Sequence, residues 1–161
     1  MTQIYISVGS NTNRDYYIRM AVLELAAAFG ELVLSSVYES EAVGFQGDAF
    51  YNMVIGARTE RSVAECVTVF KAIEDKYGRV RGGEKFCGRT LDLDLLTFDN
   101  LICTEPVELP RAEIVENAFV LWPLAEIAPD LNHPLLQQSY KALWHEYTKA
   151  QKIWVVPFSF E

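Results

Sequence analysis

With 161 residues, the chain has the length of one compact domain, since single domains cluster near ~100 to 150 residues. Half of it is hydrophobic and 22% is charged, enough apolar surface to bury a core without disulfides or structural metal, so disorder as the main state is excluded. The 14 basic against 22 acidic side chains leave a formal net charge of -8, which lacks the electrostatic footprint of a nucleic-acid-binding protein.

Ile4 to Val8 is a short β-branched run that predicts a first strand, ending at the turn cluster Gly9-Ser10-Asn11. From Asn13 to Phe29, Ile18, Val22, Leu25 and Phe29 recur at helical spacing, with Asn11, Thr12 and Asn13 as caps and Gly30 as the stop. Leu32 to Tyr38 and Asn52 to Arg58 read as two strands, joined by a long segment, Ser40 to Tyr51, of the kind that is often functional. Ser62 and Glu65 have capping-box spacing, and Val63, Cys66, Val67, Phe70, Ile73 and Tyr77 continue a helical stripe to Gly78.

A basic loop, Arg79 to Arg89, then leads into Thr90 to Phe98, which alternates like a strand and continues through a hairpin to Pro110. The order strand, helix, strand, strand, helix, strand matches the split β-α-β pattern of ferredoxin-like sandwiches. The fold expected is therefore α+β, a ferredoxin-like sandwich with an antiparallel sheet and additional C-terminal hairpin and helices, in a single domain over 1–161. Its tail holds a Pro-punctuated stretch around Trp122-Pro123-Leu124, a helix from Ser139 to Ala150 and a last strand, Ile153 to Val156.

Cys66, Cys87 and Cys103 are widely spaced, with only His133 and His145 to supplement them, so neither a zinc site nor a disulfide framework is suggested. The N-terminal residues lack a basic signal region, and no apolar run approaches the ~20 residues of a membrane span. A monomeric cytoplasmic protein is expected, with neither nucleic acid nor membrane as partner.

Residues two apart in a strand share a face at about 6.5 to 7 Å, so Asp92 and Asp94 present two carboxylates side by side while Leu91, Leu93 and Leu95 face the core. Such a pair suits Mg²⁺, which is held by one or two carboxylates together with substrate phosphates; two metal ions can clamp the entering and leaving oxygens of a phosphoryl-type transfer. An ordinary strand with an acidic polar face is the alternative. The adjoining basic loop favours the catalytic reading, because guanidinium forks match phosphate oxygens. No Gly-x-x-x-x-Gly-Lys-Ser/Thr loop is present. Phe45, Phe50, Tyr51 and Asn52 form an aromatic and amide cluster suited to a flat heteroaromatic ligand, though aromatic residues there also serve as plain core.

Tyr5 to Asn11, Gly44 to Asn52, Gly78 to Arg81, Arg89 to Asp94, Phe119 to Pro129 and His133-Pro134, in that order, resemble the bacterial 6-hydroxymethyl-7,8-dihydropterin pyrophosphokinases of folate biosynthesis. The resemblance implies a ferredoxin-like fold and transfer of pyrophosphate from ATP, the co-substrate, to the pterin hydroxymethyl group, with release of AMP. It implies that Asp92 and Asp94 bind two Mg²⁺ ions, that Arg79 and Arg89 hold the phosphates, and that Phe50 and Phe119 sandwich a pterin whose edge meets Asn52. It further implies that backbone groups near Ser40 to Gly44 complete that pocket and that Glu74, Arg81, Leu95 and Arg111 fall at nucleotide-side positions.

The sequence also departs from the family pattern. Phe86-Cys87-Gly88-Arg89 replaces the usual Trp-Gly-Pro-Arg, Arg111 and Asn117 stand where His and Arg are usual, and Gly82 replaces a basic residue. Glu41-Ala42 also replaces prolines. A diverged relative that binds pterin or nucleotide with little transfer, and a structural domain with an incidental Asp-x-Asp, are the competing readings.

Overall fold

Along Thr2–Ser10 (β1), Ile4, Ile6 and Val8 turn to one side of the sheet while Tyr5, Ser7 and Gly9 turn to the other. That alternation divides the molecule into two cores. The structure, a computed structural model, describes residues 1–40, 49–78, 91–149 and 151–160. After β1 come Arg14–Phe29 (α1), Val33–Leu34 (β2), Val37–Ser40 (β3), Phe50–Thr59 (β4), Val63–Lys76 (α2) and Asp92–Phe98 (β5). Glu113–Glu116 (α3), Ala118–Ile127 (α4), Tyr140–Glu146 (α5) and Ile153–Val156 (β6) complete the chain.

The strands lie in the order β5-β1-β4-β3-β6, with β2 also against β4, and every pairing is antiparallel. Ile18, Ala21 and Leu25 of α1 and Cys66, Phe70 and Ile73 of α2 cover one face, over Ile4, Ile6, Met53, Ile55, Leu93 and Leu95. Opposite, α3 to α5 bring Ile114, Val120, Leu121, Leu124 and Tyr140 onto Tyr5, Val54 and Leu96. This is the expected α+β sandwich with an antiparallel sheet.

The capping box is present: Glu65 N donates to Ser62 Oγ at 3.1 Å and Ser62 N to Glu65 Oε1 at 2.9 Å. Gly30 and Gly78 end their helices at φ 82 and 86, a region open to glycine. Asn13 caps α1 in the left-handed conformation, without the expected side-chain cap bond.

Several boundaries differ from expectation. Gly9-Ser10 is strand rather than turn, because both residues pair with β4. The strand expected over Leu32 to Tyr38 breaks at Ser35-Ser36: Ser35 Oγ accepts from Val54 N at 2.9 Å, and Ser36 N and Oγ donate to the Glu126 carboxylate at 2.8 to 3.1 Å. Ser35 N still donates to Val54 O at 3.0 Å, but its hydroxyl takes the return bond from Val54 N and Glu126 takes the Ser36 donors, which ends the regular ladder. The hairpin before Pro110 amounts to one antiparallel bridge, Cys103 to Leu109. Around Trp122 the chain is helical, with Pro123 inside α4; six α4 positions, Pro123 among them, are buried, and that packing outweighs the lost amide donor. Finally, α5 stops at Glu146, short of Ala150.

Candidate active site

Cross-strand register builds the site. Asp92 pairs with Gly9, Gly9 with Asn52 and Asn52 with Tyr38, so four positions from four strands form one row on the face under α3 to α5. One residue pair along, Asp94 lies opposite Ser7 and Ser7 opposite Val54. Asp92 and Asn52 are therefore about 10 Å apart, two strand spacings, with only glycine between them. A Cβ at Gly9 would lie 3.0 Å from Asn52 Oδ1 and 3.8 Å from Phe50 Cδ1. The missing side chain leaves a floor between the carboxylates and the amide.

At the amide end, Asn52 is 4% exposed and its Nδ2 donates to Ser40 Oγ at 2.9 Å, which holds the side chain in one orientation. Phe50 follows the same alternation and shares the face of Asn52. Phe119, in the first turn of α4, is half-buried against the core under that face. Tyr38 closes the far end: its Oη donates to Glu126 Oε1 at 2.7 Å, and burial first, then that carboxylate, push its pKa upward.

At the carboxylate end, the Asp94 side chain is 41% exposed and lies 3.7 Å from Arg111 Nη2. Arg111 Nε donates to Leu95 O at 3.1 Å, and Nη1 lies 3.9 Å from Glu113. Burial, followed by the Asp94 charge, raises the Glu113 carboxyl pKa against the opposing pull of Arg111. Glu74 works from beneath: it is 6% exposed, and its Oε2 accepts from Leu93 N at 2.8 Å, between the two aspartates. That bond satisfies a backbone donor of an edge strand and fixes the segment bearing Asp92 and Asp94. The Leu95 side chain is buried in the core under α1 and α2, so its contribution to this face is its carbonyl.

Thus the structure brings Asp92, Asp94, Arg111, Asn52 and Phe50 to one sheet face, with Phe119 on the helix layer above it and Glu74 behind. Gly44, Arg79, Arg81 and Arg89 lie outside the described residues, as do Phe45, Gly82 and Cys87. Among the described residues no three Asp, Glu, His or Cys side chains cluster as a metal site. Two hard oxygen donors on an open face do suit Mg²⁺ carried by a polyphosphate, whose oxygens supply further ligands.

The match that decides the family covers residues 5–129 and is to 7,8-dihydro-6-hydroxymethylpterin-pyrophosphokinase (HPPK). The chain belongs to this family. A relative from Aquifex aeolicus, named 2-amino-4-hydroxy-6-hydroxymethyldihydropteridine pyrophosphokinase, is 32% identical over 92% of this chain and 94% of its own length. One of the same name from Bacillus subtilis is 39% identical over 76% of each chain. Among solved structures, wild-type Plasmodium falciparum HPPK-DHPS matches with a TM-score of 0.71 at 12% identity, over 91% of this chain. This chain spans only 44% of that longer one, and the likeness concerns the fold.

Two features of this face go beyond what the sequence implies. The local sequence places Gly9 in a turn, although a glycine that follows a β-branched run without a break also signals close approach within a strand. Ser40 enters through its hydroxyl on Asn52, a contact that depends on the pairing of β3 with β4.

Proposed function

We propose that this chain transfers the terminal pyrophosphate of ATP to 6-hydroxymethyl-7,8-dihydropterin, releasing AMP, in folate biosynthesis. Beside family membership, the supporting observation is the row from Asp92 across Gly9 to Asn52, which gives one face an anionic end and an amide and aromatic end. In this reading Asp92 and Asp94 hold two Mg²⁺ ions, which when bound neutralise the charge on the polyphosphate. Arg79 and Arg89 grip the phosphates, and Arg81, Arg111, Glu74 and the Leu95 carbonyl line or support the nucleotide side.

Phe50 and Phe119 sandwich the pterin, and the Asn52 amide, with backbone groups near Gly44, bonds its edge. The pterin hydroxymethyl oxygen then bonds to the β-phosphorus, the bond from that phosphorus to the bridging oxygen breaks, and AMP leaves with the oxygen. The hydroxyl proton passes to solvent. Catalysis of this kind is positioning and charge stabilisation, the tasks these side chains perform. The protein works as a monomer in the cytoplasm in this reading, where Cys66 and Cys103, both free thiols, stay reduced.

The test is to mix the protein with ATP, Mg²⁺ and the pterin and follow AMP and pterin diphosphate. Equimolar formation of both is expected, and its loss in Asp92→Ala and Asp94→Ala with circular dichroism unchanged. Absence of AMP from the wild-type protein refutes the activity; full turnover in both variants refutes the metal assignment.

A further inference from the structure

Residues 151–160 lie beyond the segment matched to the family and pack against both ends of the pterin side of the face. β6 pairs with β3 along the open edge of the sheet, Ile153 opposite Ser40 and Trp154 opposite Glu39. Just before β6, on the helix side of the site, Gln151 Oε1 accepts from Ala118 N at 2.6 Å and its Nε2 donates to Glu116 O at 3.3 Å. Gln151 thus acts as an N-terminal cap for α4, where Asn117 makes no side-chain cap bond. Phe119 is the next residue of that helix.

On the opposite face the same segment reaches the base of the aromatic cluster. Trp154 Nε1 donates to Glu39 Oε1 at 2.9 Å. The other Glu39 oxygen pairs with Arg14 Nη1 at 2.6 Å, and that nitrogen also donates to Ala49 O at 2.8 Å. The Arg14 guanidinium lies 4.0 Å from the centre of the Tyr51 ring, against which Phe158 packs edge-on at 6.0 Å. Arg19 covers Phe158 at 4.4 Å and donates to Ser159 O. The segment therefore touches α4 beside Phe119, β3 at Ser40, and β4 at the residue between Phe50 and Asn52.

We propose that residues 151–160 form a strap that sets the relative positions of Phe119, Phe50 and Asn52 and thereby the affinity for the pterin, with Gln151 and Trp154 as positioning residues. The proposal rests on the pterin reading above. It reflects a mechanical need: a ring held between a helix residue and a strand residue is gripped only if helix and strand are held at a fixed separation. Removing the strap's contacts loosens that grip and leaves the Asp92 and Asp94 end, on the far side of Gly9, untouched.

The test uses the full chain as Gln151→Ala, Gln151→Glu and Trp154→Phe. Affinity for the pterin is measured by calorimetry in the presence of Mg²⁺ and a non-hydrolysable ATP analogue, and affinity for the analogue alone is measured separately. Gln151→Ala should weaken pterin binding about fivefold, the loss that follows removal of one helix cap, with analogue affinity within about twofold of wild type. Gln151→Glu keeps the acceptor for Ala118 N and should fall between the two. Trp154→Phe keeps the ring but loses the donor, and should weaken pterin binding about twofold. Unchanged pterin affinity in Gln151→Ala and Trp154→Phe overturns the strap, as does an equal loss for both ligands. Should Gln151→Ala melt below the assay temperature, Trp154→Phe decides alone. A wild-type protein that binds pterin without forming AMP defeats the transfer reading and leaves the strap standing.

Discussion

Replacing Gly9 with alanine tests the floor of the site at its narrowest point. The added Cβ would lie 3.0 Å from Asn52 Oδ1, inside the ~3.5 to 4.0 Å at which non-bonded heavy atoms attract best, so the amide must retreat by about 0.5 Å. Little freedom exists for that, because Asn52 is 4% exposed and its Nδ2 is bonded to Ser40 Oγ at 2.9 Å. Overpacking costs about 1 to 3 kcal/mol, partly offset by about 0.4 to 1 kcal/mol from the stiffer unfolded chain. A net loss near 1 kcal/mol lowers Tm by about 2 to 4 °C. In the proposed reaction the displaced amide also misaims its bond to the pterin edge, and a full hydrogen bond of about 1.4 kcal/mol corresponds to tenfold in affinity. Initial rates of AMP formation, with pterin varied at saturating Mg²⁺ and ATP and then ATP varied at saturating pterin, should show about a tenfold rise in the pterin KM only. An unchanged pterin KM, or an equal rise for ATP, would refute the assignment of Gly9 and Asn52 to the pterin end.

Two other expectations concern the supports of the site. Glu74→Ala strands the buried Leu93 N–H and should cost about 1 to 3 kcal/mol, with Glu74→Gln milder because it keeps an acceptor; thermal melts matching wild type in both variants would dismiss the contribution of that bond. His133 is 4% exposed and its Nδ1 accepts from Leu135 N and Leu136 N, each at 3.2 Å; burial lowers its pKa from the ordinary 6.5. The unfolded chain therefore takes up the proton first, so the stability held above about pH 6.5 is lost as pH falls below it. His133→Asn, which retains a side-chain acceptor but does not titrate, should flatten that part of a plot of Tm against pH, and parallel curves would show that His133 is not responsible.

Local patterns made much of the fold legible before any contact was known. The Ser62 and Glu65 box, the Ile18 to Phe29 stripe and the stops at Gly30 and Gly78 are all written within a few neighbouring residues, which is why both helices under the sheet are legible in the sequence. Asp92 and Asp94 were legible for the same reason: period-2 alternation with Leu91, Leu93 and Leu95 assigns them a face without reference to any partner strand. The resemblance carried by the dispersed motifs supplied the family, which the match over residues 5–129 bears out.

Where two effects compete, or where a contact joins residues distant in sequence, only the tertiary structure decided. Pro123 argues against helix locally, yet α4 forms through it because Val120, Leu121 and Leu124 gain a core. Ser35 and Ser36 are compatible with a continuous strand, but Glu126, 90 residues further on, takes the Ser36 donors and breaks it. Gly9 reads locally as the start of a turn, and it is strand because β4 and β5 pair on either side of it. Gln151 carries no local sign of acting as the cap of a helix 33 residues earlier. Periodicity and capping are properties of neighbours along the chain, so one sequence suffices to read them; register, burial and long-range hydrogen bonds arise from the balance of packing over the whole chain, and no short stretch contains it.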